Sequence, residues 1–343
     1  MNKRDAYYDN AKFLLIFLVV FGHFIQSYVN DNKIVLTLYN TIYLFHMPAF
    51  ILISGYFAKG FKKEGYLKSV AKKLILPYLV FQGIYSFFYY FIQGREVSSV
   101  NPLDPHWSLW FLISLFFWNV MLYGYTKLKP GYAIFIAITL GVLVGYVNEV
   151  NSFLSLSRTF VFFPLFLVGY FLNREQFKKI RETKIKIFSV SVLVVTFICF
   201  YFYTGFEHQW LFGSKPYVVL DAYGLTGALT RLGVYALSFL TTMSFLALVP
   251  SREMFFTKWG TRTLYVYLLH GFFIKSFRNS SLVNVLNESE QIIVMSIVSL
   301  ILTILLSSDF IRTTTQPFIE MKISALKRWA ERVQGDHGRL QNR

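Results

Sequence analysis

Apolar residues in this chain come in long runs, and the charged residues are pushed into the segments between them. Ten runs stand out, at about 11–30, 39–57, 74–93, 108–126, 131–147, 158–172, 187–204, 228–249, 259–277 and 291–308. A helix rises about 1.5 Å per residue, so roughly 20 apolar residues cross a hydrocarbon core about 30 Å thick. The pattern therefore predicts an all-α integral membrane protein of about ten transmembrane helices. The first run is too long for a signal-peptide core and no small-residue cleavage site follows it, so it reads as a retained helix.

Composition agrees with this: of 343 residues, 55% are hydrophobic and 20% aromatic, and the mean hydropathy is +0.47. A soluble domain could not cover so much apolar surface. The net charge of +16 raises the question of nucleic acid, but that reading needs a basic face on a soluble fold. Here the lysines and arginines partition by loop. With the N-terminus in the cytoplasm, the inner loops hold clusters such as Lys59–Lys73 and Arg174–Lys186, while the outer loops offer only Lys33, Arg95, Lys215 and Arg278. The positive-inside rule then puts both termini in the cytoplasm and makes the charge a matter of topology, with no nucleic-acid partner. Residues 1–310 form a polytopic membrane domain. Residues 311–343 form a basic tail in which Leu326, Trp329 and Val333 share one face of a helix lying on membrane lipids. Cys199 is the only cysteine, so no intrachain disulfide or multi-cysteine metal site is expected, and no metal.

Candidate chemistry starts at the first run. Asp9 and Lys12 lie one helical turn apart where it enters the membrane, and His23 follows eleven residues after Lys12. That spacing carries the imidazole roughly 17 Å into the bilayer, a position at which an ionisable side chain is a functional-site hypothesis, although a histidine there could also simply bond a neighbouring helix. The second run descends and carries His46 at a similar depth, with Pro48 expected to kink it and Gly55 to allow close approach of a helix or ligand. Lys72 and Lys73 abut the third run on the side of Asp9 and Lys12. Near the opposite face stand Trp107, Trp110 and Arg158, which suit an interfacial belt and a snorkelling cation or else a sugar-stacking platform and a polar contact. His270 sits within the ninth run.

Asp-x-x-Lys running into Gly22-His23, then His46-Met-Pro48, Ser54-Gly-Tyr56-Phe57, the Trp-Phe-Leu beginning at Trp110, Arg158 before Phe-Phe-Pro, and Thr263-Leu-Tyr-x-Tyr-Leu-Leu-His270 occur in this order. Together they resemble the membrane acyltransferase-3 family, in particular its fucose-4-O-acetylase-like branch. The resemblance implies a bacterial plasma-membrane enzyme that moves an acetyl group from acetyl-CoA to a hydroxyl of a cell-surface or lipid-linked saccharide. It implies that His23 is the essential catalytic residue, with His46 beside it and a basic residue at Lys12. An arginine motif before the third-span proline is associated in that family with the donor's phosphates. This chain has Lys72 and Lys73 there, point charges without arginine's bidentate fork.

Such a transfer needs a base, stabilisation of an oxyanion, and two substrates held together away from water. A neutral His23 or His46 serves the first need, Asp9, Lys12, Lys72 and Lys73 the donor, and Ser54, Tyr56, Arg158, Trp107, Trp110 and His270 the acceptor or the developing charge. Direct attack by the hydroxyl is preferred over an acyl-histidine relay. The alternative class is a saccharide carrier or exporter whose histidines relay protons. Neither a Walker loop nor a Gly-x-Ser-x-Gly elbow is present.

Overall fold

The computed structural model describes residues 5–93, 101–150 and 153–320; the expected surface helix around Trp329 lies outside them. Every regular element among these residues is helical. In chain order they are α1 (Ala6–Ile25), α2 (Lys33–Phe57), α3 (Tyr66–Gln93), α4 (Trp110–Tyr125), α5 (Pro130–Leu143), α6 (Leu156–Phe171), α7 (Arg174–Ile180), α8 (Thr183–Phe202), α9 (Leu225–Leu248), α10 (Thr263–Arg278), α11 (Glu288–Leu306) and α12 (Asp309–Glu320). Seven of these segments, on α1, α2, α3, α6, α8, α9 and α11, are long and apolar enough to cross a membrane. The runs expected at 108–126, 131–147 and 259–277 fall on the shorter helices α4, α5 and α10, of 16, 14 and 16 residues.

The helices begin where local chemistry lets them. Asp5 caps α1 by accepting from the Tyr7 amide, and Asn32 caps α2 by accepting from Ile34 and Val35, satisfying N–H groups that a first turn leaves unpaired. The Asn32 side chain also donates to the Glu288 carbonyl and to Gln291 Oε1, 3.1 Å each, which ties the start of α2 to the start of α11. α2 runs uninterrupted through Pro48.

Helices α1 and α2 form the centre: 72% of the α2 segment is buried against 22% of α8, which leaves α8 as a lipid-facing periphery. Two features fix this centre. A Cβ at Gly55 of α2 would lie 1.9 Å from the Phe166 carbonyl oxygen, and one at Gly169 of α6 would lie 2.0 Å from that of Leu52. The two glycines thus face each other's backbones, and α2 and α6 cross with no side-chain layer between them. In the first turns of α1, fully buried Asn10 donates to the Pro250 and Arg252 carbonyls at 2.9 and 2.8 Å and accepts from Thr257 Oγ1 at 2.6 Å. The segment leading into α10 is thereby clamped onto the first turns of α1, and a Cβ at Gly260 would meet the Asp9 carbonyl at 1.8 Å.

Candidate active site

One cavity of about 350 Å³ runs between α1, α2, α4, α6 and α10. From α1 it is lined by Lys12, Ile16, Val19, His23 and Gln26, and from α2 by Tyr43, His46, Met47, Phe50 and Ser54. Both sets recur at three- and four-residue intervals, so each is a single helix face. The stretch from Lys12 to Gln26, the C-cap of α1, rises roughly 21 Å, which makes the cavity an elongated passage. Lys12, Ser54, Leu74 and Thr263 mark one end, and His23, Gln26, Trp107 and Phe212 the other.

At the second end the imidazole of His23 is enclosed on several sides. Its Nδ1 is 2.9 Å from the Tyr43 hydroxyl; the Trp107 ring lies 4.3 Å from its centre and the His270 ring 5.6 Å. Arg278, the last residue of α10, donates to the His23 carbonyl at 2.5 Å and to Gln26 Oε1 at 2.7 Å, closing the end of α1. His46 is buried, and its Nδ1 donates to the Ile42 carbonyl 2.8 Å away. A carbonyl only accepts, so the Nε2 of His46 carries the lone pair when the ring is neutral. His270 has the same arrangement, Nδ1 to Val266 O at 3.0 Å, and its buried Nε2 has no hydrogen-bond partner among the described residues.

Trp107 reaches this position at a cost. Its φ of 32° lies in the left-handed region that favours glycine, and such strain persists where the surroundings over-determine it. Here the loop 101–109 is latched by Gln82 of α3. The Gln82 amide donates to the Asn101 and Asp104 carbonyls at 3.2 and 2.8 Å, and its Oε1 accepts from the His106 amide at 3.0 Å. Ser86 Oγ is 2.8 Å from His106 Nε2 one turn further on, and the Tyr267 hydroxyl donates to the Ser108 carbonyl. Across the cavity, Arg158 donates through Nε to the Phe212 carbonyl at 3.2 Å and lies 5.0 Å above the Trp110 ring. Among the described residues, no Asp or Glu lines the cavity.

The residues singled out in the sequence fall into three groups. Lys12, His23, His46, Ser54, Trp107, Trp110 and Arg158 share the cavity wall. Asp9 and His270 stand directly behind it, Asp9 with its carboxylate 2.7 Å from Lys12 Nζ and His270 against His23 and Trp107. Lys72 and Lys73 are exposed on α3, where their neighbour Leu74 is the lining residue. Tyr56 stacks on Tyr8 at 5.0 Å, outside the lining. Sequence reasoning missed Tyr43, Gln26, Tyr267 and Arg278. Tyr43 had a readable signal, one helical turn before His46. Arg278 had none, because 255 residues separate it from the carbonyl it holds.

A family model described as an acyltransferase domain matches residues 5–310. Relatives include nodulation protein NolL of Sinorhizobium fredii (strain NBRC 101917 / NGR234), 27% identical over 216 residues, which are 58% of this chain and 57% of that protein. Another is nodulation protein NolL of Mesorhizobium japonicum (strain LMG 29417 / CECT 9101 / MAFF 303099), 38% identical over 85 residues, 23% of each chain. The matched segments thus span less than two thirds of either relative's length. No solved structure matches.

Proposed function

The chain belongs to the acyltransferase domain family, and from that premise we propose that it is a membrane-embedded O-acyltransferase moving an acetyl group from acetyl-CoA to a hydroxyl of a cell-surface or lipid-linked saccharide. The observation that carries this reading is a single face of α1 bearing Lys12 and His23 along one elongated cavity. A donor with phosphates at one end of a long arm and a thioester at the other matches such a passage. The phosphates lie at the Lys12 end, where Asp9 orients Lys12 and the exposed Lys72 and Lys73 add charge outside the mouth. The pantetheine arm follows the α1 face to His23. The acceptor enters at the opposite end, against Trp107, Trp110 and Arg158.

In the reaction, Nε2 of His23 takes the proton of the acceptor hydroxyl as its oxygen attacks the thioester carbonyl. The tetrahedral intermediate collapses by breaking the C–S bond, and the departing thiolate recovers the proton from the imidazolium. No further reactant is needed, and the products are the ester and coenzyme A. Arg158 and His46 line the same cavity; Arg158 holds the acceptor and His46 positions it. Ser54 and His270 complete the polar surroundings, and water is kept out by the aromatic lining.

The proposed topology is ten spans, including the shorter α4, α5 and α10, with both termini in the cytoplasm of a bacterial plasma membrane. Reporters fused after residues 68, 128 and 180 then read cytoplasmic and one near 210 reads external; a cytoplasmic signal near 210 overturns the arrangement. The activity is tested by incubating purified protein in lipid nanodiscs with radiolabelled acetyl-CoA and envelope glycans. Label in an ester-linked, base-labile form supports the transferase. A gene deletion that lowers the amount of surface glycan but leaves its O-acetyl content per sugar unchanged would point to an exporter instead.

A further inference from the structure

The sequence pair Gly22-His23 has a spatial explanation that leads to Tyr43. A Cβ at position 22 would lie 2.8 Å from Cε2 of the Tyr43 ring, closer than carbon atoms approach. Glycine therefore opens α1 at the point where the tyrosine ring passes to reach the next residue. There the Tyr43 hydroxyl is 2.9 Å from His23 Nδ1. The ring has little freedom to leave: Tyr39 stacks on it at 3.9 Å between centres, and His46 packs edge-on at 4.5 Å. Such a side chain is pre-organised, and its hydroxyl marks one of the two ring nitrogens of His23.

We propose that Tyr43 is a positioning residue whose hydroxyl oxygen accepts from Nδ1–H of His23, favouring the tautomer with Nε2 unprotonated and holding the ring, with Gly22 as the space that permits it. The proposal rests on His23 being the base. For Nε2 to accept a proton from the substrate, Nδ1 must already carry one, and an Nδ1–H needs an acceptor. A phenolic oxygen is such an acceptor, and it can turn its own hydrogen away. When the proton arrives at Nε2, the Nδ1–H···O bond persists and becomes charge-assisted, which favours the imidazolium at the step where it forms. The buried ring of His46 offers a contrast. Its tautomer is dictated by the Ile42 carbonyl, which cannot donate. The tautomer of His23 depends on a side chain and is open to mutation.

The test compares Tyr43→Phe, which keeps the ring and its packing, with wild type and His23→Ala in nanodiscs. The expected result is a kcat for acetyl transfer reduced about tenfold to a hundredfold, in the lower range of general-base contributions, with KM for acetyl-CoA changed less than about twofold. Spectra of 15N-labelled histidine, assigned by subtraction of the His23→Ala spectrum, should show His23 passing from one tautomer to a mixture. Gly22→Ala should reproduce the loss of kcat in the wild-type background and add little to it in Tyr43→Phe, because the hydroxyl it displaces is already gone. An unchanged kcat with an unchanged His23 spectrum in Tyr43→Phe overturns the role of Tyr43. Retained transfer in His23→Ala overturns the base assignment beneath it, and the 15N spectrum still decides whether the bond sets the tautomer.

Discussion

The two ends of the cavity are built on different principles. At the His23 end, groups from α1, α2, α10 and the loop 101–109 converge on one imidazole, and most of their polar atoms are already committed to other parts of the protein. At the Lys12 end Lys12 pairs with Asp9 at 2.7 Å, with the Lys12 side chain 21% exposed and that of Asp9 4% exposed. The difference matches what the proposed reaction asks of each end. Where bonds are made and broken, a misplacement of an ångström costs orders of magnitude, so the surroundings are fixed in advance. Where the proposed donor's phosphates would be held, charge is wanted and geometry can be loose.

Mutations at the two ends should therefore differ in kind as well as in size. The largest effect is expected for His23→Ala: acetyl transfer should fall at least about a hundredfold, while membrane abundance and acetyl-CoA binding stay near normal. Substantial transfer by the purified variant would erase the distinction between the ends. Next comes Trp107→Ala, which removes the ring 4.3 Å from His23. A kcat loss of about tenfold or more is expected, with the KM for acetyl-CoA little affected; a change confined to donor KM would show that the aromatic end also binds the donor. Lys12→Ala should do the reverse, raising the KM for acetyl-CoA roughly tenfold, the size of one lost charge-assisted hydrogen bond, with a smaller change in kcat. Equal losses in kcat and kcat/KM would instead assign Lys12 to the transition state. The smallest effect belongs to Lys72→Ala with Lys73→Ala. These exposed charges should raise KM only about two- to fivefold, an effect that fades with added salt.

How much of this was legible depended on distance along the chain. The spacing of Asp9, Lys12 and His23 is a property of one helix, so their shared face and separation could be read directly. Depth in a membrane follows from counting residues, which brought His23 and His46 to one cavity without any contact information. The reading of Lys72 and Lys73 used adjacency to an apolar run, but adjacency does not give the angle about a helix axis, and it is Leu74 that turns inward. Tyr56 was grouped with Ser54 although two residues on a helix differ by more than half a turn. The Arg278 clamp, the Gln82 latch and the strained backbone of Trp107 arise from contacts between distant elements, and no periodicity encodes them. The counting of spans succeeded for the seven long helices. It had less purchase on α4, α5 and α10, whose apolar runs exceed the helices they form.

The crossing at Gly55 and Gly169 also constrains how the passage can open. At that crossing backbone meets backbone with no side chain between, so α2 and α6 are held in fixed register there. Tyr43 and His46 ride on the first and Arg158 on the second, so the crossing ties these two sides of the cavity together. Opening wide enough for the proposed acceptor then falls to the opposite wall, where the loop bearing Trp107 is held to α3 by side-chain hydrogen bonds that can break and re-form one at a time.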